Sequence, residues 1–301
     1  MAAVFWASGG SAAKFLFHSG ITPLQLVQLR ITVSTAMLFV WLLWRRPALL
    51  KIDRKDIPYF LILGTLGMAA INVAYLYAIS KLNVAAAILL EYLAPAFIAM
   101  HSVLFLREKI SRTTLIAIVG AVLGCYLVVG AYNLSILSMN LSGILSGVGA
   151  ALAFAWWSVH GEYGMRRYDP WTVLFFALLV ATVIWNILHS PLEAVLRPYS
   201  PATWFWIVFV ALVGTILPFG LYYEGINWIR STRASITATL EPIAAAAISY
   251  IFLNEAMAPL QMAGGALVIA SVILLQVKQE VDEKAPGLVR AKLNDQQGHS
   301  L

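Results

Sequence analysis

Ten apolar runs, each long enough to cross a bilayer, constrain this chain more than any other feature. They extend over approximately Met1–Phe17, Leu24–Trp44, Pro58–Ser80, Val84–Leu106, Thr113–Ala131, Leu141–Gly161, Trp171–Ser190, Ala202–Trp228, Thr232–Leu253 and Pro259–Val277. About 20 helical residues cross the ~30 Å hydrocarbon layer. Within it every backbone N–H and C=O must be paired inside the protein, which leaves only helices or a closed barrel. The runs are continuously apolar and lack the alternation of a barrel strand, so they read as ten helical spans, numbered 1 to 10 here. With 61% hydrophobic and 11% charged residues, 301 residues could not coat a water-soluble globule. The formal charge of +6 does not argue for nucleic acid, because Lys and Arg sit in short clusters between the spans. A single cysteine, Cys125 in an apolar run, excludes an internal disulfide and reads as a small packing residue.

The second constraint is a duplication. Gly67, Tyr75, Pro95 and Glu108 recur as Gly214, Tyr222, Pro242 and Glu255 at a constant offset of 147 residues, as do Ile79, Phe105 and Leu106 in Ile226, Phe252 and Leu253. Residues 1–135 and 136–277 are therefore read as two five-span repeats, followed by a tail over 278–301. Alternate loops differ in basic residues. One set holds Arg45, Arg46, Lys51, Arg54, Lys55, Arg107, Lys109, Arg112, Arg166, Arg167, Arg230, Arg233 and the tail, whereas the other has only Lys81 and Arg197, besides Lys14 and Arg30 just inside the ends of their helices. By the positive-inside rule both termini are cytoplasmic. Five spans per half force the second half to enter from the other side, and the basic tract after span 4 has no basic counterpart after span 9. The expected fold is an all-α integral membrane protein of ten transmembrane helices in two inverted repeats.

Gly120 and Gly124, Gly143 and Gly147, and Gly264-Gly265 form flat patches, expected to serve close helix packing. The tail mixes charge with Pro286 and Gly287 and reads as disordered. Span 1 offers about 17 residues, or ~25 Å of helix. Either it snorkels through Lys14 or the natural start lies upstream.

Enzyme chemistry finds few residues to work with. All five aspartates lie in loops or the tail, and neither a His-Glu-x-x-His zinc motif nor a Gly-Lys-Ser/Thr phosphate loop occurs. No cofactor or metal is expected. A carboxylate at membrane depth is costly and so a functional candidate, which singles out Glu91 and Glu241. Pro95 follows Glu91 at i+4 and Pro242 adjoins Glu241. Each proline frees a carbonyl one turn earlier, tolerable only beside a cavity or a neighbouring helix. For Glu91 an ion pair with Lys14 or Arg30 stays open as the structural alternative. Glu162 is expected to pair with Arg166 at i+4, and Glu224 with Arg230, both as helix-end surface pairs. Glu108 and Glu255 stand at helix C-termini, where the dipole disfavours an anion, and read as structural caps for a neighbouring helix or loop. Tyr75 and Tyr222, with Asn72 one turn before Tyr75, and Trp6 and Trp156 in the opening spans of the halves, are candidates to line a cavity. His101 and His160 read as packing residues rather than a proton relay.

Both halves close their fourth span with Phe-Leu-x-Glu, and the second carries Leu240-Glu241-Pro242. In these motifs and the five-plus-five layout, nearly the whole chain before the tail resembles the EamA-type permeases of the drug/metabolite transporter superfamily. The resemblance implies an inner-membrane secondary transporter with a central cavity built from spans 1, 3, 4, 6, 8 and 9. Trp6, Asn72, Tyr75, Glu91, Trp156, Tyr222 and Glu241 would face that cavity, and Pro95 and Pro242 would act in gating. Carboxylates and aromatics suit an ammonium group, and no Lys or Arg is expected deep in the site, which argues against phosphorylated cargo. The implied activity is export of small metabolites, most simply amino acids or related amines. Alternatives are aromatic or cationic drug-like compounds or nucleobases, or a non-transporting scaffold or sensor. Partners are the small-molecule substrate, the lipid bilayer and, in a coupled mechanism, protons, with no nucleic acid; the chain is monomer or homodimer.

Overall fold

The computed structural model describes residues 1–18, 20–81, 90–105, 107, 110–128, 141–189, 199–244, 247–248, 258–277 and 284–298. The chain is a multi-pass, all-helical membrane protein. Five helical stretches are long and apolar enough to cross a bilayer, and shorter apolar helices accompany them at Ala94–Leu104, Arg112–Leu127 and Pro259–Leu274. Large apolar side chains such as Val40, Phe205, Leu145 and Ile187 point outward, as lipid-facing residues do.

The offset of 147 found in the sequence reappears in the helices. Span 2 (Pro23–Arg45) and span 7 (Pro170–Leu188) begin at equivalent prolines, each preceded by a capping side chain: Thr22 accepts from Gln25 N and Asp169 from Trp171 N. Span 5 (Arg112–Val128) and span 10 (Pro259–Val277) start at equivalent positions, and span 1 (Ala2–His18) and span 6 (Leu141–Met165) end at them. Spans 3 and 8 each change register inside the membrane through a π-helical segment, Leu63–Ala69 and Leu212–Ile216. These coincide over five positions under the same offset.

Packing follows the same scheme. Span 1 packs on span 8 across its π segment, and span 6 packs on span 3 across the other. Span 2 pairs with span 7, and span 5 with span 10. Between spans 2 and 7 the hydroxyls of Thr35 and Thr182, themselves 147 residues apart, are 2.7 Å from each other. Gln28 donates to Asn186 Oδ1 at 3.0 Å, and Asn186 donates to Thr32 at 3.0 Å, extending this polar seam. Gly120 and Gly124 face Ser271 and the Val268 and Gly264 region of span 10, so this glycine pair serves an internal contact, as expected. Cys125 is free and buried.

Spans 1 and 8 meet at two glycines. A Cβ on Gly9 would stand 2.4 Å from Gly214 Cα, a backbone atom that cannot turn aside, whereas a Cβ on Gly10 would meet nothing within 4 Å. Gly9→Ala is therefore expected to cost about 1–3 kcal/mol through overpacking. Gly10→Ala should be neutral or raise stability by up to about 1 kcal/mol through helix propensity. Thermal denaturation in detergent distinguishes the pair, and equal midpoints would contradict this contact.

Spans 8 and 9 form a hairpin. A Cβ on Gly225 would lie 3.9 Å from Ala234 Cβ, whereas nine residues of straight helix would separate them by about 13.5 Å. The reversal occurs at Arg230, whose φ of 64° and ψ of 166° belong to a region that is nearly glycine-only.

Two expectations fail at this end of the bundle. Glu162 is only 3% exposed and does not form a surface pair with Arg166. Its Oε1 accepts from Arg230 Nε at 2.8 Å, and its Oε2 accepts from Ser231 N at 2.8 Å and Ser231 Oγ at 2.6 Å. A carboxylate from span 6 thus caps the N-terminus of span 9 and pins the strained residue. Glu224, expected to pair with Arg230, forms no ion pair with it among the described residues and lies near Trp171 instead.

The tail was expected to be disordered, and residues Pro286–Gly298 are helical. Pro286 occupies a helix start, where proline suits the backbone, and Ala285, Pro286 and Gly287 are buried. A Cβ on Gly287 would meet Asn227 Nδ2 at 3.1 Å, so the glycine permits the approach. Arg290 Nη1 donates to Met165 O and Tyr168 O, each at 2.6 Å, which satisfies carbonyls at the C-terminal end of span 6. Arg290→Ala should weaken this docking by about 1.5–3 kcal/mol. Limited proteolysis would then cut near Lys284 faster than in the parent protein; unchanged cleavage would show that the guanidinium does not hold the tail.

Candidate functional site

Spans 4 and 9 are both interrupted in mid-course. In span 4 the helix loosens at Tyr92–Leu93 and resumes as Ala94–Leu104; in span 9 it loosens at Thr239–Leu240 and resumes at Glu241. The breaks are equivalent at the offset of 147. At both, hydrogen bonds tighten to the i→i−3 pattern: Leu93 N to Leu90 O at 3.1 Å, and Leu240 N to Thr237 O at 3.3 Å. The cause lies in the sequence, since Pro95 and Pro242 follow the breaks and cannot donate to the preceding turn. Both prolines are buried.

Polar side chains gather at these breaks. Glu91 lies just before the first break and Glu241 just after the second; both are partly exposed. The Tyr92 side chain lies close to Glu241, bringing one break near the other. Tyr75 lies within electrostatic reach of both carboxylates and of Arg30. Arg30 also acts on Glu91, but its Nη2 donates to Asn72 Oδ1 at 2.7 Å. Asn72, 4% exposed, is fixed by a second bond from its Nδ2 to Met68 O at 2.6 Å, in the π segment of span 3. Two corrections follow. An arginine stands in the site, contrary to the expectation of none, eight residues and about 10 Å into span 2. Among the described residues Arg30 and Glu91 form no ion pair within 4 Å. The Lys14 side chain, the other suggested partner of Glu91, lies outside the described residues, as do Glu108 and Glu255.

Toward the end carrying Met1, aromatic rings occupy the space between the halves. Trp6 meets Phe219 at 5.2 Å and Tyr222 at 5.6 Å between centroids, and Phe154 lies 5.4 Å from Tyr222. The Tyr222 hydroxyl is 2.9 Å from Ser158 Oγ. Beneath them Trp157 stacks on Tyr223 and lies against Gly67, where a Cβ would come within 2.6 Å of its ring. A cleft of about 180 Å³ runs past Met1, Tyr222, Ala234 and Thr237 to Leu240, the residue before Glu241. Trp156 is not part of this cluster. It stacks on His160 at 3.9 Å, and His160 faces His101 of span 4 at 6.4 Å.

Two equivalent helix breaks, each with a carboxylate beside it, and a cluster of aromatic rings thus lie between two matched halves. The EamA-like transporter family profile matches this chain over residues 1–130 and again over 141–277. The chain belongs to the EamA-like transporter family. It is a membrane transporter of the drug/metabolite superfamily, not an enzyme. It is similar to the uncharacterized inner membrane transporter YicL of Salmonella typhimurium, 25% identical over 92% of this chain and 93% of that protein. The pseudopaline exporter CntI of Pseudomonas aeruginosa is 30% identical over 83% of this chain and 85% of its own length. One solved crystal structure superposes with a TM-score of 0.75 at 17% identity, covering 92% of this chain and 94% of the other, which establishes a shared fold.

Tyr92 escaped the sequence reading, and Arg30 entered it only as an ion-pair alternative for Glu91, for different reasons. Tyr92 has Thr239 as its counterpart, so the repeat comparison that raised Tyr75 and Tyr222 passed over it. Arg30 was placed near a helix end, yet a long side chain carries its charge well beyond its Cα.

Proposed function

We propose that this protein is a secondary transporter of the inner membrane that exports small metabolites, amino acids or related amines, by alternating access. In this reading residues 1–135 and 136–277 are inverted repeats, both termini are cytoplasmic, and the two halves rock about the seam where their broken spans meet. Trp6, Asn72, Tyr75, Glu91, Tyr222 and Glu241 contribute to the cargo passage, and Pro95 and Pro242 weaken spans 4 and 9 where they flex. Trp156 borders the passage through its stack on His160 rather than joining the central group. The observation that carries the proposal is the pair of equivalent breaks at Tyr92–Leu93 and Thr239–Leu240, each flanked by a carboxylate. Irregular backbone at membrane depth is tolerated only where it is buried in protein or lines a cavity, and ionisable groups there mark solute or proton pathways. The Thr35–Thr182 contact supports a two-fold relation between the halves. The name of the Pseudomonas aeruginosa relative supports outward transport.

The ring cluster around Trp6, Phe154 and Tyr222 favours a second reading, in which the cargo is an aromatic or cationic drug-like compound held by cation–π contact. Purified protein screened with amino acids, amines, nucleobases and aromatic cations decides between them. A cargo at 100 times its Kd stabilises the fold by about 2.7 kcal/mol, and the same compound must cross proteoliposomes containing the protein. Stabilisation and flux confined to aromatic cations would replace the first reading with the second. No flux for any class would favour a scaffold or sensor.

A further inference from the structure

We infer that Arg30, held by Asn72, is the anchor for a carboxylate on the cargo. The cargo is then a zwitterion, with its ammonium end toward Glu91 and Glu241, rather than a simple amine. The inference rests on the transport reading above and narrows it.

Three observations carry it. Arg30 is a guanidinium with five donors; Asn72 takes one of them at 2.7 Å, while the Nε is buried with no hydrogen-bond partner. Leaving such a donor unmet costs about 1–3 kcal/mol, so a site that keeps it open is set up for an acceptor brought from outside. Second, the guanidinium does not collapse onto the nearby carboxylates. It senses Glu91 and Tyr75 electrostatically, yet among the described residues no carboxylate lies within ion-pair distance of it. Cation and anions thus stand apart, with Arg30, Glu91, Tyr75 and Glu241 all partly exposed, which offers opposite charges to the two ends of a zwitterion. Third, the geometry is imposed. Asn72 is oriented by its bond to Met68 O, which turns its Oδ1 toward Arg30 and holds the planar fork ready for bidentate carboxylate recognition. The fold itself does not demand this arginine, because its counterpart in the second half is the buried Ala177.

The experiment compares three forms of each of two probes on the purified full-length protein: L-lysine, its methyl ester and cadaverine; and L-tryptophan, its methyl ester and tryptamine. The half-maximal concentration for thermal stabilisation is measured for the parent, Arg30→Gln, Arg30→Lys and Asn72→Ala, with proteoliposome flux of the free amino acids alongside. The parent should bind at least one amino acid ten times or more tightly than its ester and amine. Arg30→Gln should lose that ratio while still binding the amine, and Arg30→Lys and Asn72→Ala should reduce it. A purely structural arginine would lower the unliganded midpoint and leave the ratio intact, which would overturn the inference. Equal binding of acid and ester by the parent would overturn it too, while flux of the amino acid kept the transport reading standing. Absence of binding for all six compounds and of flux for both amino acids would remove the amino-acid and amine reading, and this inference with it. If Arg30→Gln does not fold, the parent ratio together with Arg30→Lys and Asn72→Ala decides the question.

Discussion

Glu162→Ala is expected to destabilise the protein by about 3–5 kcal/mol, the usual cost of leaving one member of a buried ion pair without its partner. The reason is local and triple. The carboxylate neutralises Arg230, 9% exposed, and accepts both the backbone N–H and the hydroxyl of Ser231 at the first turn of span 9. It also holds Arg230 in a backbone conformation that costs about 1–3 kcal/mol for a residue with a Cβ. Removing Glu162 therefore releases the hairpin between spans 8 and 9. Arg230→Ala alone should cost less than Glu162→Ala, because the remaining carboxylate keeps its two bonds to Ser231. In the double variant the effects should be non-additive by 1 kcal/mol or more. Chemical denaturation of the four proteins in detergent provides the cycle, and additive losses would show that the two side chains are independent.

Glu241→Gln is expected to reduce cargo flux by tenfold or more while leaving thermal stability close to that of the parent. The side chain is partly exposed beside a helix break, and glutamine keeps its size and a carbonyl acceptor toward the nearby Tyr92. The fold should survive, and the negative charge that a cationic group or a coupled proton requires is lost. Glu91→Gln should act in the same direction. Undiminished flux through Glu241→Gln, with its pH dependence retained, would remove Glu241 from both cargo binding and proton coupling.

These two glutamates show where sequence reasoning reaches and where it stops. Glu241 stood out as a candidate because it combines charge, membrane depth and an adjoining proline, all local properties. Glu162 was misassigned because its sequence neighbour Arg166 offered an i+4 partner, while the actual partner lies 68 residues away on another helix. Local spacing describes one helix surface, and the lower-energy arrangement was settled by packing between helices. The same limit explains the tail: Pro286, Gly287 and scattered charge resemble a solvated segment in composition, yet proline suits a helix start and the glycine admits Asn227. The helix starts at Pro23 and Pro170 and the breaks before Pro95 and Pro242 could be anticipated, because proline acts through its own missing donor and ring, whatever surrounds it. The π segments at Leu63–Ala69 and Leu212–Ile216 carry no comparable signal. They accommodate the crossings of spans 1 and 6, which no single segment encodes.

The central claim is that the halves are inverted in the membrane, and Ser111 and Ala258 test it most directly. Both are exposed, both directly precede a helix start, and they are equivalent at the offset of 147. In a Cys125→Ala background, single cysteines at these sites would be probed in oriented vesicles with an impermeant maleimide. The account predicts that Ser111→Cys reacts only from the cytoplasmic side and Ala258→Cys only from the opposite side. Labelling of both from the same side would contradict the inverted repeat and the transport cycle built on it.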